Sequence, residues 1–314
     1  MLSALLRRPA NSWTTFWFTP TPATPLALLR IAFGLVSTGW TLSLLGNGNF
    51  AAFFHRDGIL PDTNWHAAPS LWSVLRIWTT DNSANVLWVV LLIACILLTL
   101  GLFTRVAAVL VFIGIVSFER RNPFLFNSGD GLLRLLALFL VFAPAGAYLS
   151  LDRLRRSRDR FWEVPLVSSF AIRLMQVQLT ALYLGSVWAK LSGASWNDGT
   201  AISYALRVED LHRFALPGFL SSSQLIANLA TYGTLAIESA LAILVWNRRL
   251  RPWVLGAGVL LHLSISYGIR VGFFTLGVLT LYLAFLSPGA ADRVVGFAKA
   301  RLTRRRPMPS SYPG

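Results

Sequence analysis

Residues 84–103 read ANVLWVVLLIACILLTLGLF, a continuous run without a charged side chain. An α-helix rises about 1.5 Å per residue, so a run of this length crosses the roughly 30 Å hydrocarbon core of a bilayer. Comparable, mostly apolar runs recur along the chain. This pattern predicts a protein built from membrane-spanning helices.

The composition points to the same class. The chain has 314 residues, of which 55% are hydrophobic and 13% charged, whereas a soluble protein has about 25% charged residues. We predict an all-α, polytopic helical membrane protein with about eight transmembrane helices and structured outer loops. The predicted spans are Pro25–Leu45, Ala84–Phe103, Arg105–Phe118, Gly131–Tyr148, Leu166–Lys190, Leu225–Trp246, Pro252–Gly268 and Val271–Leu286. The third is short for a span.

The spans divide the chain into three predicted parts: an N-terminal segment (1–24), a transmembrane domain (25–288) and a basic tail (289–314). No cleavable signal peptide is evident, so we expect the first span to act as its own insertion signal. The single cysteine, Cys95, rules out an intramolecular disulfide. No metal-binding motif, nucleophile elbow or P-loop is present.

Basic residues predict the orientation of the bundle. With the N-terminus in the cytoplasm, the cytoplasmic segments hold 17 Arg and Lys residues and the opposite side holds 7. This bias follows the positive-inside rule and places both termini in the cytoplasm. The net charge of +15 is then explained by topology and contact with anionic lipids. No aromatic stacking surface accompanies the arginines, so nucleic acid is not an expected partner.

Lys190 stands out among the basic residues. Of 28, only Lys190 and Lys299 are lysines, and Lys190 ends the apolar run that begins at Leu179. Lysine can exchange a proton near neutral pH when it is desolvated, whereas arginine stays charged. Lys190 is therefore either a base or carboxylate partner at a site, or a lysine that extends from a helix end to the membrane interface.

Polar residues inside spans are costly and usually face the protein interior. His262 lies in the seventh span, with Ser266 one turn further on, and Glu238 lies in the sixth. For His262 alone a helix–helix hydrogen bond is the simplest role, and for Glu238 it is pairing with a basic residue on another helix. Two further expectations follow from position: an i,i+4 pair between Asp130 and Arg134, and extension of Arg30 and Arg173 toward the cytoplasmic interface.

Two long segments lie on the outer side, residues 46–83 and 191–224, and both are rich in aromatic and polar side chains. Long segments of this kind in compact domains are usually functional. Tryptophan is also typical of the membrane interface. They form either an interfacial belt over the bundle or a cap over a cavity that opens to the outer leaflet.

Several motifs resemble the HTTM family, whose fold is the membrane part of the vitamin K-dependent gamma-glutamyl carboxylases. They occur in a fixed order over roughly residues 20 to 288. The matching segments are Leu29–Gly34, Phe54–Leu60, Arg121–Pro123, Ser128–Asp130, Pro144–Gly146, Leu149–Asp152, Trp188–Gly199 and Leu261–Phe274.

The resemblance implies roles for particular residues. In the carboxylases the residue similar to Lys190 is the base that deprotonates vitamin K hydroquinone, and a histidine similar to His262 belongs to the same active site. Lys190 and His262 are thus the candidate catalytic residues, and a reduced quinone is the candidate cofactor. The candidate substrate-binding residues are Trp188, Trp196, Asn127, Asp130 and Tyr267, and the candidate structural charges are Glu238 and Arg134.

Two departures argue against carboxylation of a peptide. The carboxylases have an Asn-His pair before their fourth span, whereas Arg121–Asn127 contains no histidine. They also carry a large extramembrane domain, whereas 27 residues follow Ser287 here. Fold alone does not fix function.

Three hypotheses remain. The first is a membrane protein that binds a quinone, a lipid or a similar hydrophobic ligand, with possible oxidation of a quinol through Lys190. The second is a non-enzymatic factor for maturation or export of a secreted peptide. The third is a structural partner of another membrane protein. The basic loops fit a bacterial inner membrane with a periplasmic active face.

Overall fold

A computed structural model describes residues 12–60, 72–80 and 82–303. Long helices dominate it, and the all-α prediction is confirmed. They are α1 (Thr24–Ser43), α2 (Ser83–Leu100), α3 (Thr104–Arg121), α4 (Ser128–Phe142), α5 (Phe170–Leu191), α6 (Gln224–Ile243), α7 (Arg251–Gly268), α8 (Phe274–Tyr282) and α9 (Pro288–Thr303).

Short elements fill the connections. Residues 12–18 are helical, and β1 (Pro20–Pro22) pairs antiparallel with β2 (Leu166–Ser168). The short α-helices are Phe50–Phe54, Val74–Ile77, Leu151–Arg156, Ala194–Asn197, Ala201–Ala205 and Phe219–Ser222; the 3-10 helices are Gly46–Gly48, Pro123–Leu125, Glu209–Leu211, Leu244–Trp246 and Leu283–Phe285.

Within the described residues, four helical segments are long and apolar enough to cross a membrane: Thr24–Ser43, Ser83–Leu100, Phe170–Leu191 and Gln224–Trp246. A bent pair, 274–285 with 288–301, raises the number to 5 when it is counted as one span. The protein is therefore a multi-pass membrane protein. The larger count of eight stays a prediction.

Several predicted spans differ in length from the helices observed. The fifth is predicted from Leu166, but Leu166–Ser168 form β2 and α5 begins at Phe170, and the eighth is reduced to α8 and the 3-10 helix after it. The third is longer, because α3 continues to Arg121 and its terminal charged residues find partners in the protein. The fourth is shorter, because α4 ends at Phe142 and Ala143 is extended. Pro144 follows, and a residue before proline is disfavoured in the helical region.

Small residues allow the helices to pack closely, as is common in membrane bundles. A Cβ atom on Gly34 of α1 would lie 2.3 Å from Thr99 Oγ1 of α2. A Cβ atom on Gly114 of α3 would lie 2.7 Å from Leu91 of α2. These contacts hold α1, α2 and α3 against one another around the core.

Arg30 does not extend to the interface as predicted. Its side chain is fully buried, and its Nη2 donates to the Leu149 carbonyl at 2.6 Å. Its Nη1 lies over Gly101, where a Cβ atom would approach it to 1.8 Å. Gly101 ends α2 in the left-handed region (φ 69). The tight turn after α2 leaves room for the guanidinium, which the sequence position of Arg30 alone did not indicate.

Arg173 also differs from the predicted extension. It is partly buried, its Nε donates to the Phe16 carbonyl at 3.1 Å, and its Nη1 donates to Gln176 at 2.9 Å. Its guanidinium lies 4.6 Å from the centroid of the Phe16 ring. The helical residues 12–18 thus supply partners on the protein itself.

Asp152 caps the N-terminus of α3. Its carboxylate accepts hydrogen bonds from the backbone N–H groups of Phe103 and Thr104, both at 2.9 Å, and from the Thr104 hydroxyl at 2.7 Å. Burial raises the pKa of this carboxyl, but the hydrogen bonds from Thr104 and Phe103, with the nearby charge of Arg156, outweigh burial and the pKa is lowered. Asp152 of the Leu149–Asp152 motif therefore has a structural role.

The predicted pair between Asp130 and Arg134 is wrong. Arg134 Nη1 instead contacts Glu119 Oε2 of α3 at 2.6 Å. Asp130 is occupied in a capping box with Asn127 at the start of α4 and accepts the indole N–H of Trp40 at 2.7 Å. The capping geometry fixes Asp130 on the N-terminal end of α4, whereas Arg134 reaches across to α3.

Arg121 connects α3 to the first outer segment. Its Nε donates to the Phe54 carbonyl at 3.1 Å and its Nη1 to the Leu60 carbonyl at 2.9 Å, and Nη2 donates to the His55 carbonyl. Arginine has several donors in a fixed planar arrangement, which suits it to hold three carbonyls at once. Trp65 of this segment lies outside the described residues.

Candidate functional site

One face of α5 carries three polar residues in a row. Tyr183, Ser186 and Lys190 are spaced by three and four residues, so they lie above one another on the same face of the helix. The rise from Tyr183 to Lys190 is about 10 Å along the axis. Partners from α6, α7 and α8 contact this face, which forms a polar line through an otherwise apolar part of the bundle.

Lys190 is paired with Glu238 of α6. Its Nζ lies 2.7 Å from Oε1 and 2.5 Å from Oε2 of the carboxylate, and it donates to Ser186 Oγ at 2.6 Å. Ser186 in turn donates to Glu238 Oε2 at 3.0 Å. The side chains are 18% and 9% exposed. The ammonium group therefore turns inward to a carboxylate and does not extend to the interface.

Trp196 covers the same ammonium group. The centroid of its ring lies 5.1 Å from Lys190 Nζ, a distance at which a cation is attracted to the face of an aromatic ring. The short helix Ala194–Asn197 positions the ring directly after α5. Lys190 thus has three kinds of partner: a carboxylate, a hydroxyl and an aromatic ring.

His262 of α7 lies deeper on the same line. Its Nε2 is 2.7 Å from the Tyr183 hydroxyl, and that hydroxyl is 2.6 Å from the hydroxyl of Tyr282 in α8. Gly258, one turn before His262, makes room for Tyr282, since a Cβ atom there would lie 2.4 Å from the Tyr282 hydroxyl. The three polar side chains join α5, α7 and α8.

The second ring nitrogen of His262 has no hydrogen-bond partner. The residue is 2% exposed, and its Nδ1 is buried without a partner among the residues that the structure describes. The ring packs edge-on against Phe274, with centroids 5.5 Å apart. Buried polar atoms are normally hydrogen-bonded, so an unpaired one calls for an explanation.

The other predicted site residues are dispersed. Trp188 and Tyr267 are exposed at 78% and 73%, and Tyr267 packs edge-on against Phe214. Asn127 and Asp130 are committed to the cap of α4. The structure therefore brings Lys190, Trp196, Glu238 and His262 to one polar line and leaves the remaining five away from it, including Arg134, which pairs with Glu119. Substrate contact by the four predicted substrate-binding residues among them stays a prediction.

Sequence reasoning did not identify Tyr183, Ser186 and Tyr282. Tyr183 and Ser186 had a usable signal, because they fall at helical spacing from Lys190. Tyr282 had none, since its contact with Tyr183 depends on how α8 packs against α5.

The second outer segment is anchored above this line. Arg213 N donates to the Gly268 carbonyl at 3.0 Å, and Arg270 N donates to the Leu211 carbonyl at 2.7 Å. The Tyr232 hydroxyl donates to the Asn197 carbonyl at 2.9 Å. These bonds join residues 197–213 to α6 and to the connection between α7 and α8.

Fold and site together define a polytopic α-helical membrane protein with an ion pair between two of its helices and a buried histidine. A family model described as HTTM domain matches residues 18–289. The chain belongs to the HTTM family. Neither the curated proteins nor the solved structures that were compared contain a significant match to the chain.

Proposed function

We propose that this HTTM protein binds a small, largely apolar ligand that carries oxygen atoms, such as a quinol, and that Lys190 handles the ligand's proton. The observation behind the proposal is the Lys190–Glu238 pair at one end of a polar line that leads to His262. Ionisable groups inside a membrane protein are expensive and commonly mark functional sites.

The residues present are compatible with a quinol. Such a ligand has an apolar ring and oxygen atoms at both ends, and when bound it would supply an acidic hydroxyl. His262 has a buried, unpaired Nδ1 to contact an oxygen atom. The Lys190 side chain is 18% exposed, so it is not fully enclosed by its partners. These two residues would hold the ligand.

Glu238 affects the ability of Lys190 to accept a proton. A lysine held by a carboxylate at this distance is an ammonium ion, which is not a base. Lys190 becomes a proton acceptor when its own proton passes to Glu238, so that a neutral amine faces a neutral carboxylic acid. The pair together, and not the lysine alone, is the proposed base.

Oxygen consumption by the purified protein in lipid, with reduced naphthoquinones, tests the proposal. We expect turnover in the wild type and its loss in Lys190→Ala and in Glu238→Gln. Lys190→Arg is the matched control, because it keeps the charge and the ion pair but does not deprotonate. Gel filtration of each variant establishes that it is folded. Equal turnover in Lys190→Arg and wild type, or none in a folded wild type, would reject the proposal.

A second function is favoured by the saturation of Lys190. The ammonium group already contacts both Glu238 oxygens, Ser186 and Trp196, which suits a structural charge in a non-enzymatic factor for a secreted peptide or a membrane partner. A partner that copurifies equally with wild type and Lys190→Ala supports this function. A neighbouring gene for a small secreted peptide points to the maturation role.

The proposed location is the cell membrane, with both termini in the cytoplasm and the Lys190 end of the site facing outward. The support is the excess of basic residues in the segments assigned to the cytoplasm.

A further inference from the structure

We infer that the Tyr282–Tyr183 pair fixes the proton of His262 on Nδ1, so that the site presents a hydrogen-bond donor and takes a ligand through an acceptor oxygen, such as a quinone carbonyl. The ligand class rests on the proposed function. The position of the proton does not, because it follows from the hydrogen bonds among Tyr282, Tyr183 and His262.

Tyr282 determines the direction of these hydrogen bonds. Among the described residues, its hydroxyl has one hydrogen-bond partner, the Tyr183 hydroxyl at 2.6 Å. Tyr282 is 6% exposed, so its O–H must donate to Tyr183 or remain buried without an acceptor. A buried donor without an acceptor costs about 1–3 kcal/mol. Donation from Tyr282 to Tyr183 is therefore favoured.

The direction of the remaining bonds follows. Tyr183 accepts from Tyr282 and has one proton of its own, which it donates to His262 Nε2 at 2.7 Å. Nε2 is then the acceptor nitrogen. A neutral imidazole carries one N–H, so the proton lies on Nδ1, the nitrogen without a partner.

The alternatives leave more buried groups unsatisfied. If Nε2 carried the proton, Tyr183 would donate to Tyr282, and both the Tyr282 O–H and Nδ1 would be unpaired. A charged imidazolium would leave the same Tyr282 O–H unpaired, together with an Nδ1–H donor, and would add a buried charge. The chosen direction leaves one unpaired group, the Nδ1–H donor.

This one remaining donor points to an acceptor. The imidazole packs edge-on against the Phe274 ring, with centroids 5.5 Å apart, so a ligand that accepts from Nδ1–H would bind close to an apolar ring. A carbonyl oxygen next to an aromatic ring fits both features.

Nitrogen-15 NMR of histidine-labelled protein in lipid nanodiscs reads the proton position without ligand or turnover. The chain has four histidines, and the spectrum of His262→Asn assigns the signal of His262. We expect the Nδ1–H tautomer in the wild type and a shift toward Nε2–H in Tyr183→Phe, which removes the donor to Nε2. An Nε2–H tautomer in the wild type would overturn the inference.

Binding of 1,4-naphthoquinone, with naphthalene as the control without oxygen, tests the ligand class. The amide of asparagine occupies the place of Nδ1, whereas that of glutamine reaches the place of Nε2. We expect quinone binding to be about tenfold weaker in His262→Gln than in His262→Asn, the effect of one buried hydrogen bond. Naphthalene, which has no oxygen atom, should bind His262→Asn and His262→Gln equally.

The two ideas fail separately. If the wild type shows the Nδ1–H tautomer but binds no naphthoquinone, the quinol function is rejected and the proton assignment stands. If naphthoquinone binds the wild type, His262→Asn and His262→Gln equally, the donor role of Nδ1 is rejected, whatever the turnover.

Discussion

At the scale of single residues, Lys190 and Glu238 form the least replaceable pair of the site. Each side chain is mostly buried, and each is the only charged group hydrogen-bonded to the other among the described residues. Removing one member leaves the other as a buried charge, which usually costs more than removing both.

We therefore expect Lys190→Met to lower the free energy of unfolding by about 3 kcal/mol, near the lower end for a broken buried pair. The double variant Lys190→Met/Glu238→Gln should recover most of that loss. Tryptophan fluorescence during denaturant titration in detergent measures both. A double variant as unstable as the single one would show that the carboxylate does not depend on Lys190.

What could be predicted at this scale depended on local spacing. Lys190 was identifiable from the sequence because lysine is rare in this chain and ends an apolar run. Its partner Glu238 lies 48 positions away and was not assigned to it, since that contact requires the packing of α5 on α6. The error on Arg30 had the same cause: its burial depends on Gly101 and Leu149, which are remote in sequence.

At the scale of elements, the turn between α2 and α3 combines several requirements. Gly101 ends α2 with a positive φ, its carbonyl accepts from Asp152 N at 2.9 Å, and the guanidinium of Arg30 lies against it. A left-handed backbone and the absence of a side chain are both needed there.

We expect Gly101→Ala to destabilise the protein at least twice as much as Gly48→Ala. Both glycines have a positive φ, 69° and 85°, so both variants introduce left-handed strain of about 1–2 kcal/mol. A Cβ atom at Gly48 would meet nothing within 4 Å, whereas one at Gly101 would collide with Arg30. Unfolding midpoints of the two variants give the comparison, and equal losses would show that Arg30 moves aside freely.

The cap on α3 predicts a dependence on pH. The pKa of Asp152 is lowered in the folded protein, so its contribution is complete above the unfolded value of about 3.9 and is lost as the pH falls through the folded value. We expect wild type to exceed Asp152→Asn in stability by about 1 kcal/mol. The difference should be constant from about pH 8 to pH 5 and shrink below about pH 4. If the difference in stability between wild type and Asp152→Asn disappeared near pH 6, the Asp152 carboxylate would not be its source.

At the scale of the whole molecule, the hydrophobic pattern located the helices well. Each predicted span coincides with a long helix or, for the eighth, with α8 and the 3-10 helix after it. The ends of the helices were predicted less accurately, because they depend on caps such as Asn127–Asp130 and on the hydrogen-bond partners of residues such as Arg121. The hydrophobic pattern could not predict that α5, α6, α7 and α8 together form the site, because periodicity does not specify which helices are neighbours.

The orientation is testable in a Cys95→Ala background. Asp159→Cys and Ser222→Cys are both at exposed positions, in segments predicted to lie on opposite sides. A membrane-impermeant maleimide should label Ser222→Cys in intact cells and Asp159→Cys after permeabilisation only. The reverse pattern would invert the proposed topology.

The ion pair of α5 and α6 also constrains how the protein is made. Lys190 emerges from the ribosome before Glu238, and it lies at the end of α5, whereas Glu238 lies inside α6. A lone charge near the centre of a span costs roughly 2.5–3.5 kcal/mol on insertion scales. We therefore expect α6 to enter lipid with its carboxylate already matched to Lys190 of α5. In glycosylation mapping, α6 should insert less completely in Lys190→Leu than in the wild type, and Glu238→Leu should remove that difference. Equal insertion of α6 in Lys190→Leu and wild type would contradict entry as a matched pair.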